Sequence, residues 1–465
     1  MEKPSISHES GRHPEYDEKN RTDGSDFEAG AVDELLPPDP DAGLSEEEKA
    51  NIDRKLVRKL DLQLIPWLCL LYLASFLDRT NIGNAKIDGL IEDLHMTNGQ
   101  YNATLSAMGL VHNFSGLMAA RWWLGFTEAG LFPGINYYLS CWYKRSEFGV
   151  RAAVFFSAAA VAGSFGGLLA AAITQMDGIG GKPGWAWIFI LEGLGTLIIG
   201  VFSFWLVHDF PDDARFLSND DRLRVIRRLK MDKQSSAEHE KFRMAYFWAS
   251  VKDWKTYTGM LIYMGADGAL YAFSLFLPTI ISGLGYKSTK AQLLSVPPYA
   301  AAAILTIAIG FTADRTRQRG LCNMGCALLG ITGFSMLLGS GKPGVQYAGT
   351  FLGALGIYPC IANTITWTSN NVEGVYKRGV TLGFVIGWGN LNGVVSSNIY
   401  RSKDKPRYKP GHGTVLGYEA FFLLGGSILQ YVLLRRENSK RRAGKRDSWI
   451  EGKSEKEIEL LGDKR

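Results

Sequence analysis

Apolar segments of about 20 residues alternate with short charged connections along most of this chain. A helix needs about 20 predominantly apolar residues to cross the hydrocarbon core of a bilayer. Charged residues concentrate instead in three segments, 1–60, 208–255 and 435–465. Ten candidate spans lie between them: 62–78, 117–139, 152–174, 186–207, 256–281, 292–311, 320–340, 345–367, 379–400 and 414–434. The sequence therefore predicts an all-α integral membrane protein with about ten spans.

The charged segments divide this membrane protein into two helix bundles. Residues 1–55 are polar and acidic, which is typical of a disordered tail. An incomplete N-terminal bundle of four spans is expected over 56–207 and a six-helix bundle over 256–434. A cytoplasmic linker (208–255) joins the bundles, and a C-terminal tail (435–465) follows. Ser45 and Ser218 stand before acidic residues and are predicted helix N-caps.

The distribution of basic residues predicts the orientation of the spans. Lys and Arg flank the connections at 144–151, 315–319 and 377–378, and a basic run follows Leu434. Basic residues beside spans favour the cytoplasmic side, so both tails are predicted to be cytoplasmic, most simply at the plasma membrane. The basic connection 401–409 disagrees, because it would then face outward.

Several classes of function are disfavoured by what the polar segments contain. They show no basic patch interleaved with aromatic residues, so nucleic-acid binding is not expected. They show no nucleophile elbow, phosphate-cradling loop or metal-ligand cluster, so no enzyme, cofactor or metal is expected. Cys322 and Cys326 are four residues apart without an accompanying His or second pair, which favours small packing residues.

Charged residues inside spans are the main candidates for function, because burying a charge in a bilayer is costly. Arg121 and Glu128 are seven residues apart, two helical turns, and so share a face at about 10 Å along the axis. An Arg fork matches a substrate carboxylate, and a partly desolvated Glu can load and release a proton. This pair predicts proton-coupled uptake of an anion; the alternative is an internal ion pair that only neutralises both charges.

Other polar residues in or beside spans extend this list. Asp78 and Arg79 end the first span, where they are either functional or an interfacial pair whose side chains reach water. Asp267 lies in the middle of its span. Asn363 and Asn390 in the second bundle are candidates for substrate binding, and interhelical hydrogen bonding is the alternative for both.

Three stretches of the chain resemble motifs of a known family. The G-x-x-A-D-R-x-x-x-R pattern from Gly310 to Arg319 resembles the signature loop of the major facilitator superfamily. The D-R-x-N-I-x-x-A motif at Asp78, with the stretch 120–143, is similar to the anion:cation symporter family of the fungal allantoate permease type. Members of that family carry nicotinate, pantothenate, biotin and related organic anions. The likeness extends from about Leu56 to Glu459.

The resemblance implies a two-bundle transporter that works by alternating access, with a small organic anion and protons as partners in the lipid bilayer. Arg121, helped by Arg79, would hold the substrate carboxylate. Glu128, with Asp78, would carry the coupling proton. The loop would supply a conformational motif made of Gly310, Asp314, Arg315 and Arg319. A monomer is the working expectation, with the oligomeric state left open.

The chain also departs from the family pattern. About forty residues that would carry spans two and three, with the first signature loop, are missing between Thr104 and Met108. Loss of two spans preserves the orientation of the others. An alternative hypothesis is therefore a truncated, transport-incompetent paralogue that acts as a sensor or partner, or the product of a misassembled gene.

Overall fold

The computed structural model describes residues 38–87, 122–123, 125–232, 244–286, 288–372 and 375–445. Its first half contains α1 (Glu46–Ile87), α2 (Leu131–Ser140), α3 (Arg145–Ile173) and α4 (Gly184–Leu206). Two shorter helices follow, α5 (Asn219–Met231) and α6 (Met244–Val251). The second half contains α7 (Trp254–Gly283), α8 (Ser288–Thr316), α9 (Arg319–Gly339), α10 (Pro343–Asn370), α11 (Val375–Leu391), α12 (Gly393–Ile399), α13 (Lys409–Gly417), a π-helical segment (Tyr418–Leu424) and α14 (Gly425–Arg442). Short 3-10 turns lie at Thr174–Met176, Ile179–Gly181 and Ser402–Asp404. The predicted all-α class is confirmed.

Eight helical stretches in the described part of the chain are long and apolar enough to span a membrane. They coincide with eight of the ten predicted spans. The other two predictions fall on 117–139, which begins outside the described residues, and on 379–400. The latter stretch is divided into α11 and α12 at Asn392.

Side-chain caps fix where two of the helices begin. The Ser45 hydroxyl accepts a hydrogen bond from the Glu48 amide at 3.3 Å, and the Glu48 carboxylate accepts one from the Ser45 amide at 3.0 Å. This reciprocal capping box opens α1, which continues for 42 residues without a break. The Ser218 hydroxyl likewise accepts from the Asp221 amide at 3.2 Å and begins α5. Both predicted N-caps are confirmed.

Helices α3 and α8 form the main contact between the two halves. A Cβ atom at Gly163 would lie 2.9 Å from the ring of Tyr299, and one at Gly167 would lie 2.8 Å from the backbone oxygen of Gln292. Small residues allow helix backbones to approach closely in lipid, where apolar burial alone does not drive association. Helix α1 packs on α3 and also reaches α7 of the second half, and α3 contacts α10 as well as α8.

Ion pairs hold α5 against one end of the bundle, which we call the linker end. Lys59 on α1 pairs with Asp221 at 2.8 Å, and Arg228 pairs with Glu147 at the start of α3 at 2.7 Å. Arg224 pairs with Asp41 at 2.8 Å, before α1 begins. Helix α5, the helix that Ser218 was predicted to begin, is therefore packed on the first half.

Candidate functional site

Arg79 is the centre of the candidate site. It lies on α1, where this helix faces α7 of the second half. Its Nη1 donates a hydrogen bond to the hydroxyl of Tyr271 at 3.1 Å, and its Nη2 lies 3.4 Å from Oε2 of Glu128. The guanidinium also lies 5.8 Å from the centre of the Tyr271 ring, within cation–π distance. Arg79 is thus held by both halves of the molecule.

The Tyr271 hydroxyl extends this contact to a third helix. It donates a hydrogen bond to Oδ1 of Asn390 on α11 at 2.7 Å. A hydroxyl that accepts from a cation and donates to an amide has a defined direction, which fixes the orientation of both partners. Arg79, Tyr271 and Asn390 therefore form one hydrogen-bonded chain across the interface between the halves.

Asp267 lies one helical turn before Tyr271 on α7 and faces the same interface. Its side chain is buried, and its Oδ2 has no hydrogen-bond partner among the described residues. It interacts electrostatically with Arg79. A Cβ atom at Gly389 on α11 would lie 3.2 Å from Asp267 Oδ2, so the glycine gives this carboxyl room. A second acid therefore lies close to Arg79.

Parts of the site are exposed. The side chain of Arg79 is 27% exposed and that of Glu128 is 16% exposed. Asn390 is exposed, whereas Asp267 is buried. Water can therefore reach part of the Arg79–Glu128 pair.

The structure brings together four of the residues selected from the sequence: Arg79, Glu128, Asp267 and Asn390. Asp78 is half-buried and directly precedes Arg79 on α1. Arg121 lies outside the described residues, so its predicted pairing with Glu128 has no structural counterpart here.

Asn363 belongs to a different region. Its Nδ2 donates to the backbone oxygen of Arg319 at 2.8 Å and to Oδ1 of Asn323 at 2.7 Å. These bonds join α9 to α10 near the linker end. Interhelical hydrogen bonding, the alternative considered for this residue, is what the structure shows for Asn363.

The residues of the predicted conformational motif connect the two halves at the linker end. The Asp314 carboxylate accepts a hydrogen bond from the backbone amide of Val150 on α3 at 2.6 Å and pairs with the guanidinium of Arg319. Gly310 faces Ala153 of α3 at close range, whereas Arg315 is exposed. The last turn of α8 is thus attached to the first half through Asp314.

Tyr271 was not selected from the sequence as a site residue. Aromatic residues in spans serve mostly as packing or interface anchors, and that is the interpretation which composition favours. Tyr271 follows Asp267 by four residues, and two polar groups one helical turn apart share a helix face. This spacing is the sequence feature that could have identified Tyr271 as a site residue. Tyr418 and Asn392 form a similar pair in the second half, at 3.0 Å.

Membrane-length helices in the described part of the chain, with charged residues where two halves meet, are typical of membrane transporters. A profile of the Major Facilitator Superfamily matches residues 102–397, nearly two thirds of the chain. The chain belongs to this superfamily, whose members are transporters of small molecules across the lipid bilayer and not enzymes.

Similar proteins agree with this assignment. The chain is 32% identical over 431 residues to the high-affinity nicotinic acid transporter of Saccharomyces cerevisiae, covering 84% of this chain and 80% of that protein. It is 33% identical over 441 residues to the MFS-type transporter cnsO of Penicillium expansum, covering 84% and 85%. A bacterial homologue of the human lysosomal transporter Spinster, solved in an inward-facing and occupied conformation, shares the fold. Its TM-score is 0.55 at 14% identity, with coverage of 80% of this chain and 96% of that one.

Proposed function

We propose that this chain is a proton-coupled symporter for a small organic anion of the nicotinate type. The observation that carries the proposal is Arg79, which pairs with Glu128 and interacts electrostatically with Asp267. The likeness to a nicotinic acid transporter supports the choice of substrate. Allantoate, pantothenate and biotin are the alternative substrates, since each also presents a polar or anionic group on a small molecule.

Charge balance explains why an anion would enter with a proton. If both acids are ionised, the described groups around Arg79 already carry more negative than positive charge. A substrate carboxylate that approached Arg79 would add another negative charge in a medium of low dielectric constant. Protonation of one acid removes this repulsion. Substrate and proton therefore favour each other's binding.

Glu128 is the acid best placed to carry the coupling proton, and Asp78, which directly precedes Arg79 on α1, is proposed to assist it. In its ionised form it competes with the substrate for the same guanidinium, because its Oε2 lies 3.4 Å from Arg79 Nη2. Once protonated, it no longer neutralises Arg79, which can then offer its planar fork to a carboxylate. Arg121 is proposed as a second carboxylate contact, with Asn390 and Asp267 lining the site.

Uptake of labelled nicotinate, pantothenate, biotin and allantoate by cells that express this chain tests the proposal. We expect nicotinate to accumulate faster when the outside is acidic and to stop accumulating when an uncoupler collapses the proton gradient. Accumulation of none of the four, or accumulation that ignores the gradient, contradicts the proposal.

The role of Glu128 is tested by Glu128→Gln, which keeps an acceptor for Arg79 but cannot release a proton. We expect substrate exchange to continue while accumulation against a gradient is lost. Glu47→Gln is the matched control, because Glu47 is an exposed acid in the first turn of α1. Proton-driven accumulation by Glu128→Gln at the wild-type level would remove the role assigned to Glu128.

We also propose that both tails are cytoplasmic and that the protein works in the plasma membrane. The basic residues beside the spans support this orientation. Epitope tags on either terminus should be detected only after cells are permeabilised, and labelling of intact cells contradicts the orientation.

A second candidate function follows from the length of the aligned stretch. The 431 residues aligned with the nicotinic acid transporter take in 84% of this chain, about 391 residues, so about 40 positions have no counterpart here. This difference is about the size of two spans with a connection. It favours a transport-incompetent paralogue that acts as a sensor or partner, or a misassembled gene product.

Insertion of the relative's extra segment between Thr104 and Met108 separates the two candidates. Uptake that appears only after insertion favours the incompetent paralogue, and equal uptake with and without the insertion favours the symporter. Sequencing the transcript across 104–108 tests the gene-product explanation directly.

A further inference from the structure

Glu419 is a buried carboxyl group that the proposed transport site does not use. It lies in the π-helical segment Tyr418–Leu424, and none of its side chain is exposed. Neither carboxyl oxygen has a hydrogen-bond partner among the described residues. A π-helical turn widens a helix locally and is frequent at functional positions. An acid in such a turn, inside an apolar bundle, requires a physical explanation.

The neighbouring helix makes room for this carboxyl group. A Cβ atom at Gly330 on α9 would lie 2.6 Å from Oε1 and 2.8 Å from Oε2 of Glu419. Any other residue at position 330 would therefore require the Glu419 side chain to move. Both oxygens thus lie directly against the backbone of α9.

Two titratable groups interact electrostatically with Glu419, and neither is a Lys or an Arg. Cys360 does so from α10. Tyr400 interacts with it from the segment before α13, and the Tyr400 hydroxyl is bonded to Nδ1 of His412 at 2.9 Å. No Lys or Arg pairs with Glu419 in the described ranges. An ionised carboxylate without a cation or donors costs several kcal/mol in such surroundings.

Glu419 is also connected to the central site. The preceding residue, Tyr418, donates a hydrogen bond to Oδ1 of Asn392 at 3.0 Å. Asn392 is two residues beyond Asn390, which accepts from Tyr271. A narrow crevice lined by Gly268, Ser396 and Thr414 runs beside Tyr418. Movement of the π-helical turn would therefore reach the helix that holds Asn390.

We propose that Glu419 is a second proton-binding site of the transport cycle, located in the C-terminal half. It holds its proton while packed against Gly330 and releases it when the two halves rearrange and the π-helical turn meets water. This inference rests on the proposed function for the identity of the coupling ion. Glu419 would be a proton-binding group in addition to those proposed around Arg79.

Infrared spectroscopy of the purified protein tests the proton on Glu419 without requiring transport. We expect the carbonyl stretch of a protonated carboxyl group in the wild type at neutral pH and its loss in Glu419→Gln. Nicotinate added to the wild type should change this band, because the cycle is expected to move the proton. A band of equal intensity in wild type and Glu419→Gln, or one that neither nicotinate nor alkaline pH alters, overturns the proposal.

Proteoliposomes test whether that proton is used. In Glu419→Gln we expect nicotinate accumulation driven by a pH gradient to fall at least tenfold, while exchange of internal for external nicotinate remains within about twofold. Retained exchange also shows that the variant is folded. Accumulation by Glu419→Gln at the wild-type level, with the same pH dependence, overturns the proposal.

Glu419→Asp separates loss of the acid from damage to packing. It keeps a titratable group with a shorter reach, so we expect pH-driven accumulation to exceed that of Glu419→Gln. Equal defects in the two variants contradict a titrating role. Failure of the proposed function would give a different result. Nicotinate uptake by the wild type would then not depend on the pH gradient, whereas the infrared band assigned to Glu419 would still be present.

Discussion

Arg79 shows how a single charged side chain can be placed at the boundary between two halves of a membrane protein. A guanidinium has five N–H donors in a fixed plane, so it can bind several partners at once. One terminal nitrogen bonds to Tyr271 in the second half, and the other lies near Glu128 in the first. The pair of contacts makes the state of Arg79 dependent on how the halves are arranged.

Tyr271→Phe is expected to raise the KM for nicotinate about tenfold. The change removes the hydrogen bond from Arg79 and the one to Asn390, and a hydrogen bond to a charged group contributes about 1.5–3 kcal/mol. Initial uptake rates over a range of concentrations measure the effect. Tyr257→Phe is the matched control on the same helix, because the Tyr257 hydroxyl donates to the Val251 backbone, away from Arg79. Equal KM values for the two variants would contradict the assigned role.

Asp253 gives a prediction about pH and stability. Burial raises the pKa of this carboxyl, but the charges of Lys255 and Lys377 outweigh burial and hold the pKa below its ordinary value. Its oxygens accept from the Lys255 amide at 3.0 Å and from Lys377 Nζ at 2.8 Å. A carboxyl with a lowered folded-state pKa stabilises the fold above its unfolded pKa, and this stabilisation is lost as the pH falls through the folded value.

Asp253→Asn should therefore lower the free energy of unfolding by about 2 kcal/mol at neutral pH, since Lys377 loses this carboxylate. The difference from wild type should shrink below about pH 4, where the carboxyl itself begins to take up a proton. Chemical denaturation in detergent at several pH values measures it. A difference that stays constant with pH would show that the charge of Asp253 is not its source.

At the scale of elements, the packing of α3 on α8 depends on glycine because backbones are in contact. Gly167→Ala is expected to destabilise the protein by about 1–3 kcal/mol, since the new Cβ would lie 2.8 Å from the backbone oxygen of Gln292, which cannot rotate away. Gly200→Ala on α4 is the matched control: no atom lies within 4 Å of its Cβ position, and Ala favours a helix. Thermal unfolding in detergent compares them. Equal unfolding temperatures for the two variants would contradict the close approach.

At the scale of the whole molecule, we expect a rearrangement of the halves to involve the linker end, where Asp314 connects the last turn of α8 to α3. Its bond to the Val150 amide joins the halves, and Arg319 of the second half pairs with the same carboxylate. Asp314→Asn keeps an acceptor but removes the charge. We expect the maximal uptake rate to fall about tenfold with little change in KM, because the defect lies in the exchange between states. Asp209→Asn, an exposed acid after α4, is the control. A rise in KM with an unchanged maximal rate would place Asp314 in substrate binding instead.

Much of this architecture could be predicted because the bilayer imposes a simple rule on each segment. Runs of about 20 apolar residues must form helices whose backbone groups are satisfied internally, so eight predicted spans reappear as long helices. Capping is equally local, and Ser45 and Ser218 were assigned from the residues that follow them. The break between α11 and α12 was not predicted, because apolar composition alone does not show where a helix is interrupted.

The composition of the site depended on tertiary structure. The sequence by itself determined that Arg79, Glu128 and Asp267 are charged groups in a place where charge is costly, and that this is a multi-spanning transporter. Only packing decided that Glu128 meets Arg79 of another helix, that Tyr271 joins them, and that Asn363 belongs to a separate network. The physical reason is that the formation of a span depends on the interaction of one segment with lipid. A site, in contrast, is formed by side chains from several helices, and no single segment encodes how these helices are rotated relative to one another.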